Sequence, residues 1–293
     1  MKHKAGFVNI IGNPNVGKST LMNSLVGANL SIITSKAQTT RHRILGLVNG
    51  DDFQIVYSDT PGLLKPNYKL QESMMRYISS ALKDADVFLV IVEIGQKSID
   101  SEVIEHIKQT GIPVLLLINK IDLTDQEATV KAIEHWEKQF KGAEIIPISA
   151  LHKFNLQSVI DRLLELLPES PAYYPKDELT DKSMRFFISE IIREKVLLNF
   201  KKEVPYSAEV VVEEFKEEEK IIKIKATIFV ARESQRKIMI GHNGAAIKRL
   251  GTAARKDIQE FVDNHVFLDL TIKVDKDWRN DDKALKKYGY EQE

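Results

Sequence analysis

The stretch Gly12-Asn-Pro-Asn-Val-Gly-Lys-Ser-Thr20 follows a short apolar run, Phe7–Ile11, and precedes a helical pattern of apolar residues. It matches G-x-x-x-x-G-K-[ST], in which glycines keep side chains away from phosphates, while backbone N–H groups and a helix N-terminus face them. Lys18 then reaches the β- and γ-phosphate oxygens, and the hydroxyl of Ser19 binds Mg²⁺. A plain glycine turn is the alternative, but the strand before the loop and the helix after it favour phosphate binding. The expected contacts are Gly12, Asn13, Pro14, Asn15, Val16, Gly17, Lys18, Ser19 and Thr20.

The composition is typical of a globular protein without disulfides. Of the 293 residues, 43% are hydrophobic and 29% are charged, the formal net charge is zero and cysteine is absent. This length predicts about two domains, each with its own core. No apolar run reaches transmembrane length, and the run after the charged start is too short for a signal peptide. We therefore expect a cytoplasmic protein in a reducing compartment.

The first 168 residues alternate strand-like apolar runs with helical patterns. This alternation predicts an α/β domain with a mostly parallel sheet. The expected strands are Gly6–Ile11, Arg43–Val48, Gln54–Ser58, Val87–Glu93, Val114–Asn119 and Glu144–Ile148. Apolar residues at helical spacing over Asn155–Leu167 predict the closing helix of this domain, 1–168.

The composition changes after residue 168. Three prolines in the short polar stretch that starts at Pro168 predict a linker over residues 169–180, because neither a helix nor a sheet continues through them. The remaining pattern predicts a smaller α+β domain over 181–280 and a C-terminal tail over 281–293. Its expected elements are a helix over 181–199, strands over 208–215 and 221–230 hinged at Lys216–Lys220, helices on both sides of Gly241–Gly244, and a strand over 266–274.

Asp59-Thr-Pro-Gly62 follows the third expected strand, and open α/β sheets bind ligands where their strands end. Asp59 can hold Mg²⁺ through water, and the N–H of Gly62 can bond a γ-phosphate and so sense its presence. Alone, the tetrapeptide would be an ordinary Pro-Gly turn. Its position downstream of the phosphate loop favours nucleotide contacts from Asp59, Thr60, Pro61 and Gly62.

A second such stretch begins at Asn119 and ends at Asp122. The Asp122 carboxylate can accept from the N1–H and the exocyclic amine of guanine, a donor pair that adenine lacks. Asn119 can bridge the base and the phosphate loop, and the Lys120 stem can lie over the ring. Ser149 and Ala150 can present an N–H to guanine O6. Separately, Asp122 would serve as a helix N-cap and the Ser-Ala pair as a turn. Together they favour GTP over ATP, because a polar site rejects a base that leaves its groups unpaired.

A basic segment lies in the predicted second domain. Between residues 232 and 256 the acidic side chain is Glu233, and the basic ones are Arg232, Arg236, Lys237, Lys248, Arg249, Arg255 and Lys256. Such a run is often a solvated helical surface, and it can also meet nucleic acid.

The same segment contains a G-x-x-G loop within Ile240-Gly-His-Asn-Gly-Ala-Ala-Ile247. Such a loop between two helices lets backbone approach single-stranded phosphates, while apolar residues beside it form a groove for bases. A lone G-x-x-G is more often a helix-breaking turn, but the basic residues and the order of elements favour RNA binding. The expected contacts are Ile240, Gly241, His242, Asn243, Gly244, Ile247, Lys248 and Arg249.

With these motifs in place, the first domain resembles the P-loop GTPases of the TRAFAC class and, within them, the Era family. Thr39-Thr-Arg-His-Arg43 resembles the effector loop of that family, in which Thr40 would close on Mg²⁺ when GTP is bound. Leu63-Leu-Lys-Pro66, followed by Leu70 and Met74, resembles its second switch. The G-x-x-G segment resembles that of a type II KH domain, so the resemblance covers nearly the whole chain.

The resemblance implies a GTPase switch, using GTP/GDP and Mg²⁺, fused to an RNA-binding KH domain. It implies binding to small-subunit ribosomal RNA near its 3′ end and a role in assembly of the small ribosomal subunit, by a monomer. Two other classes stay open. One is a membrane-associated signalling GTPase with peripheral contact at the inner face of the membrane, and the other is a non-enzymatic, GTP-gated RNA scaffold.

The expected reaction is attack of water on the γ-phosphate, with Mg²⁺ and Lys18 neutralising charge. Ras-type enzymes place a water-orienting Gln where this chain has Leu63, so unaided turnover should be slow. Asn15 matches the asparagine that potassium-activated relatives of the Era family use as a ligand, and it would equally serve to stabilise the loop. The expected catalytic residues are Lys18, Thr40, Asp59, Gly62 and Asn15. The expected metal ligands are Ser19, Thr40 and Asp59 for Mg²⁺ and Asn15 for K⁺.

Overall fold

The computed structural model describes residues 3–99 and 101–290. Residues 1, 2 and 100 of the predicted first domain, and residues 291–293 of the predicted tail, lie outside the described residues. In chain order the main elements are β1 (Lys4–Ile11), α1 (Lys18–Val26), β2 (Ile44–Asn49), β3 (Phe53–Asp59), α2 (Lys69–Lys83), β4 (Val87–Glu93), α3 (Ser101–Thr110), β5 (Val114–Asn119), α4 (Gln126–Gln139), β6 (Glu144–Pro147), α5 (Leu156–Leu166), α6 (Met184–Asn199), β7 (Ala208–Glu218), β8 (Ile221–Val230), α7 (Glu233–Ile240), α8 (Ala245–Val262), β9 (Val266–Val274) and α9 (Asp282–Lys287).

The first sheet has six strands among the described residues, in the order β2-β3-β1-β4-β5-β6. β2 is antiparallel to β3, and the other neighbours are parallel. This confirms the α/β class with a mostly parallel sheet. Chain connections run from β1 towards one edge and from β4 towards the other, so a crevice opens at the carboxyl ends of these two strands. The loop after β1 lies at that position.

Continuous apolar sequence explains why β4 and β5 lie inside this sheet. Residues 87–92 of β4 and 115–119 of β5 are buried, as expected for strands covered on both faces. Side chains of these strands share a core with helical ones, among them Ile78 of α2, Ile107 of α3 and Trp136 of α4. The rigid sheet thus fixes where its strands end, and therefore where the loops after them begin.

The second sheet has three strands among the described residues, in the order β7-β8-β9. β7 and β8 are antiparallel with a bulge between Val212 and Glu214, whereas β8 and β9 are parallel. Apolar residues of α6, α7 and α8 pack with the strands in one core, which includes Ile192, Met239 and Ile258. The hinge predicted at residues 216–220 is shorter than expected, because pairing of β7 with β8 continues to residue 218.

The chain divides into two compact units. The first holds the described residues up to Lys65 together with Met74–Asp181, and the second holds Pro66–Ser73 together with the described residues from Lys182 onward. The predicted linker lies along the first unit, where the backbone N–H groups of Tyr173 and Tyr174 donate to Gln54 Oε1 (2.7 and 3.0 Å). The boundaries drawn from the sequence stay predictions.

Two buried aromatic side chains, Trp278 just before the predicted tail and Tyr290 within it, tie this end of the chain to the second unit. Trp278 is buried and its indole N–H donates to the carbonyl of Ser207 (2.9 Å). The hydroxyl of Tyr290, also buried, donates to Glu209 Oε2 (2.6 Å). Within the part of the chain that the structure describes, no helix is both long and apolar enough to cross a membrane.

Candidate nucleotide site and nucleic-acid groove

The phosphate loop packs so closely against its neighbours that two of its positions admit glycine alone. A Cβ on Gly12 would lie 2.4 Å from the carbonyl oxygen of Ile91, and one on Gly17 would lie 2.3 Å from Asn119 Nδ2. Gly17 also has φ 102°, a conformation that side chains disfavour. The loop therefore presents backbone rather than side chains to a ligand. The unpaired N–H groups of the first turn of α1 come directly after it.

Lys18 lies across this loop. Its ammonium is buried and donates to the carbonyls of Gly12 (3.0 Å) and Asn13 (2.8 Å). Burial lowers the pKa of Lys18 to about 8, and the nearby Asp59 carboxylate opposes part of that shift. An anionic phosphate would favour the charged form of this lysine.

Ser19, Thr40 and Asp59 meet beside the loop, as the sequence predicted for metal ligands. The hydroxyl of Ser19 lies 2.9 Å from Thr40 Oγ1 and donates to Asp59 Oδ2 (2.7 Å). Asp59 is fully buried, and its Oδ1 has no hydrogen-bond partner among the described residues. Burial raises the pKa of this carboxyl, and the charge of Lys18 offsets part of the rise. Three oxygen donors with one orphaned carboxylate oxygen fit Mg²⁺, which prefers such ligands.

A cavity of about 340 Å³ opens over these groups. Besides the phosphate loop, Thr40, Gly62 and Lys120, it is lined by Lys36, Gln38 and Thr39 at the start of the segment that resembles an effector loop. Four further lining residues were marked by no motif: Ile32, Ile33, Thr34 and Ser35. Asn15 Nδ2 donates to the carbonyl of Ser35 (3.1 Å), so Asn15 does stabilise the loop. Its amide oxygen remains the atom suited to a cation.

The segment Asp59-Thr-Pro-Gly62 lies against the phosphate loop. A Cβ on Gly62 would lie 2.8 Å from both Cα and Cγ of Pro14, so the two loops touch through backbone. Thr60 anchors the segment, since its hydroxyl donates to the carbonyl of Ile10 (2.8 Å). The side chain of Leu63 is buried in the apolar core, which excludes it from orienting a water molecule.

Asn119 and Lys120, which follow β5, both bond to the phosphate loop. Asn119 Nδ2 donates to the carbonyl of Val16 (2.8 Å), and Asn119 Oδ1 accepts from the N–H of Ala150 (2.9 Å). Lys120 Nζ donates to the carbonyl of Asn15 (2.8 Å) and pairs with Glu93 Oε2. Sequence reasoning missed Glu93. Its position at the carboxyl end of β4, the strand beside the phosphate loop, was the available signal.

Asp122 lies in a 3₁₀ turn after β5 and does not cap the next helix. The N-cap of α4 is Asp125, whose carboxylate accepts from the N–H of Ala128 (2.8 Å), so the N-cap interpretation of Asp122 is wrong. Asp122 Oδ1 accepts from the hydroxyl of Ser149 (2.5 Å), and its Oδ2 lies 3.8 Å from His152 Nε2. The hydroxyl of Ser149 thus orients this carboxylate.

The G-x-x-G loop joins α7 to α8 in the second unit. Gly241 has φ 73°, and a Cβ there would lie 2.7 Å from Cβ of Ala246. Gly244, with φ 75°, ends the loop at the first turn of α8. Between them His242 and Asn243 are exposed. The loop therefore presents backbone and two small polar side chains at the start of a helix.

A groove of about 360 Å³ runs between α8 and β9. Its lining combines apolar and basic side chains: Ile247, Lys248, Gly251, Thr252, Arg255, Phe267, Leu268 and Leu270. Of the predicted RNA contacts, Ile247 and Lys248 line this groove, and both Ile240 and Ile247 pack against the core. Arg249 is exposed on α8. The exposed ring of Phe267 was missed, because β9 lies far from the G-x-x-G motif in sequence.

Comparison with protein families matches both units. Residues 7–120 match the model described as 50S ribosome-binding GTPase, and residues 203–279 match the KH domain model. The GTPase Era of Clostridium kluyveri (strain ATCC 8527) is 44% identical over 292 residues, 98% of this chain and 99% of that protein.

Two solved structures are similar over nearly the whole chain. One is Era in complex with MgGDPNP and nucleotides 1506–1542 of 16S ribosomal RNA, with a TM-score of 0.94 and 37% identity. The other is a variant of Aquifex aeolicus Era bound to GDP and AlF4⁻, with a TM-score of 0.94 and 36% identity. Each covers 99% of this chain and 100% of its own.

Replacing Asp122 with Asn should change the base that is bound. The amide can no longer accept from both guanine donors, so GTP affinity should fall by about 100-fold while xanthosine triphosphate gains affinity. Calorimetric titration with GTP, ATP and the xanthine nucleotide measures this. Asp125→Asn, which keeps a helix cap in the same loop, is the matched control. Equal affinity of the unchanged protein for ATP and GTP would refute base recognition by Asp122.

Replacing Gly62 with Ala should separate hydrolysis from binding. The added methyl must displace the Asp59–Gly62 segment from Pro14, and a shift near 1 Å costs roughly 100-fold in rate. GDP affinity should stay within about twofold, because GDP lacks the γ-phosphate. Single-turnover phosphate release and a fluorescent-GDP titration measure the two. Gly251→Ala, where the new methyl makes an ordinary contact, is the control; unchanged hydrolysis by Gly62→Ala would contradict the prediction.

Proposed function

The chain belongs to the Era family of GTPases, and from this we propose that its first unit hydrolyses GTP with Mg²⁺ while its second unit binds small-subunit ribosomal RNA. The observation that carries the nucleotide part is the meeting of Ser19, Thr40 and Asp59 beside the phosphate loop, with one carboxylate oxygen left unpaired among the described residues. These donors come from three separate parts of the chain, and the Ser19 hydroxyl lies within hydrogen-bond distance of both others.

We assign binding of the triphosphate to backbone and Lys18. The loop N–H groups receive the phosphate oxygens, and Lys18 moves its ammonium from the carbonyls of Gly12 and Asn13 to the β- and γ-phosphates. Asp122 accepts from the guanine edge, with Asn119 joining the base end to the phosphate end. Mg²⁺, held by Ser19, Thr40 and Asp59, supplies charge neutralisation on the β- and γ-phosphate oxygens when bound.

Hydrolysis by this site rests on positioning. A phosphoryl group passes through a loose transition state that needs placement and electrostatic stabilisation more than proton abstraction. Gly62 supplies an N–H towards the γ-phosphate, and Lys18 holds charge there throughout. Leu63 is buried, so it orients no water, and unaided turnover is therefore slow.

We assign RNA binding to the G-x-x-G loop together with the groove between α8 and β9. Backbone at Gly241 and Gly244 approaches the phosphates, and the apolar lining receives unstacked bases. Lys248 and Arg255 line this groove, and their positive charges attract the negatively charged RNA backbone. A similar structure contains a 16S ribosomal RNA fragment, and 16S RNA belongs to the small subunit. We therefore propose that the protein acts in the assembly of the small ribosomal subunit, in the cytoplasm.

Turnover should depend on the monovalent cation. K⁺ held partly by the amide oxygen of Asn15 would lie against the phosphates and supply the positive charge that an arginine side chain supplies in other GTPases. GTPase rates should therefore be at least about tenfold higher in potassium than in sodium at equal ionic strength. Asn15→Ala should remove the difference while GDP affinity persists. Steady-state phosphate release in both salts measures this. Equal rates for the unchanged protein would remove the potassium proposal and leave RNA or a partner protein as the activator.

Charging the G-x-x-G loop should weaken RNA binding. Replacing His242 and Asn243 with Asp places two negative charges where phosphates approach, so affinity for a single-stranded 16S fragment should fall roughly tenfold or more at physiological salt. GTP affinity should not change. The matched control is Asn264→Asp with His265→Asp, the same exposed residue types at the other end of α8. Equal loss in both double variants would indicate general repulsion and place the interface elsewhere.

A further inference from the structure

Arg43, three residues after Thr40, is buried, and its guanidinium bonds to several side chains at once. Its guanidinium forms a bidentate pair with Asp84, from Nη1 to Oδ2 (2.6 Å) and from Nη2 to Oδ1 (2.9 Å). Its Nε donates to the hydroxyl of Ser58 (2.7 Å), and Nη2 also donates to Asn9 Oδ1 (3.2 Å). Asn9 Nδ2 in turn donates to Asp84 Oδ1 (2.8 Å), which closes the network.

These partners stand beside the nucleotide site without touching its cavity. Ser58 precedes the candidate metal ligand Asp59 on β3, and Asn9 lies on β1 just before the phosphate loop. Asp84 follows the last turn of α2. A second contact joins the same segment to α2, because His42 Nδ1 lies 3.4 Å from the hydroxyl of Tyr77. The chain after Thr40 is thus fixed to three elements of the first unit.

Thr40 needs such an anchor because its loop has no regular secondary structure between α1 and β2. Ordering a loop costs conformational entropy for every residue that must be held. With Arg43 fixed, only a short piece of backbone separates an immobile point from the Thr40 hydroxyl. The distance of 2.9 Å between Thr40 Oγ1 and Ser19 Oγ is consistent with that restraint.

We propose that Arg43 is a positioning residue for Thr40: by its bidentate pair with Asp84 and its bond to Ser58, it pre-organises the Thr40 hydroxyl for the Mg²⁺ of the GTP-bound state. Arg43 is not among the residues that line the nucleotide cavity. The inference rests on the proposed role of Thr40. Its consequence is selective, because Thr40 serves the state that contains a γ-phosphate, whereas GDP does not require it.

The test compares nucleotide preference in Arg43→Lys and Asp84→Asn. Lysine keeps the charge and loses the planar fork, so it cannot hold Asp84 and Ser58 together. Affinity for a non-hydrolysable GTP analogue should fall about tenfold, the effect of a charged hydrogen bond, while GDP affinity stays within about twofold. The Mg²⁺ concentration needed for half-maximal binding should rise for the GTP analogue but not for GDP. The control is Arg162→Lys, which alters an exposed arginine paired with Glu144 and Glu165 in the same unit.

The outcomes separate positioning from plain stability. A purely structural pair would lower the melting temperature and weaken both nucleotides in the same proportion, which would overturn the inference. If Arg43→Lys does not fold, Asp84→Asn carries the test, since that side chain is 39% exposed. The double variant should lose no more affinity for the GTP analogue than the more strongly affected single variant. Additive losses would show that Arg43 and Asp84 act independently, which would refute the inference.

Thr40→Ala is the reference variant, because it removes the hydroxyl that Arg43 is proposed to position. If it leaves the ratio of analogue to GDP affinity unchanged, the proposed Mg²⁺ role of Thr40 fails. If it lowers that ratio and Arg43→Lys does not, the site stands and the inference about Arg43 alone is wrong.

Discussion

Close contact between the phosphate loop and the strands beside it is the constraint on which the first unit depends. A side chain at Gly12 would meet the carbonyl of Ile91 on β4, and one at Gly17 would meet the amide of Asn119 on β5. The loop therefore touches both neighbours through backbone, and its N–H groups remain for a ligand. Asn119 secures this arrangement, because its amide joins the carbonyl of Val16 to the turn after β6. One side chain thus connects the phosphate end of the site to its base end.

Burial of two opposite charges gives the site its electrostatic character. Lys18 and Asp59 both lie out of water, and burial lowers the pKa of the lysine while it raises that of the carboxyl. The charge of each residue offsets part of the pKa shift of the other. Their remaining partners are uncharged, loop carbonyls for Lys18 and hydroxyls for Asp59, so neither charge is fully compensated. Phosphate and a divalent cation bring the missing charges. Ligand binding and the stability of the first unit are therefore linked.

Both units present glycine backbone at the start of a helix, and the surroundings of that backbone differ between them. In the first unit the glycines face a cavity with a buried lysine and three converging oxygens, which suits a triphosphate and its metal. In the second, Gly241 and Gly244 stand beside an open groove between α8 and β9 with exposed basic residues. An open, apolar and basic groove suits an extended strand of nucleotides. The first unit thus presents a cavity suited to phosphate chemistry, and the second a groove suited to a long ligand.

The sequence by itself determined the fold class and most strand positions, because hydrophobic periodicity acts through local backbone. Its assignment of residues to the phosphates rests on contiguous motifs and stays a prediction. The alternative in which Asp122 caps α4 could not be decided from sequence, and the structure assigns that cap to Asp125. What lies next to what across the sheet was decided only by tertiary structure. The partners of Arg43 and the place of Phe267 in a groove with α8 depend on strand order and on close packing, which no local pattern encodes.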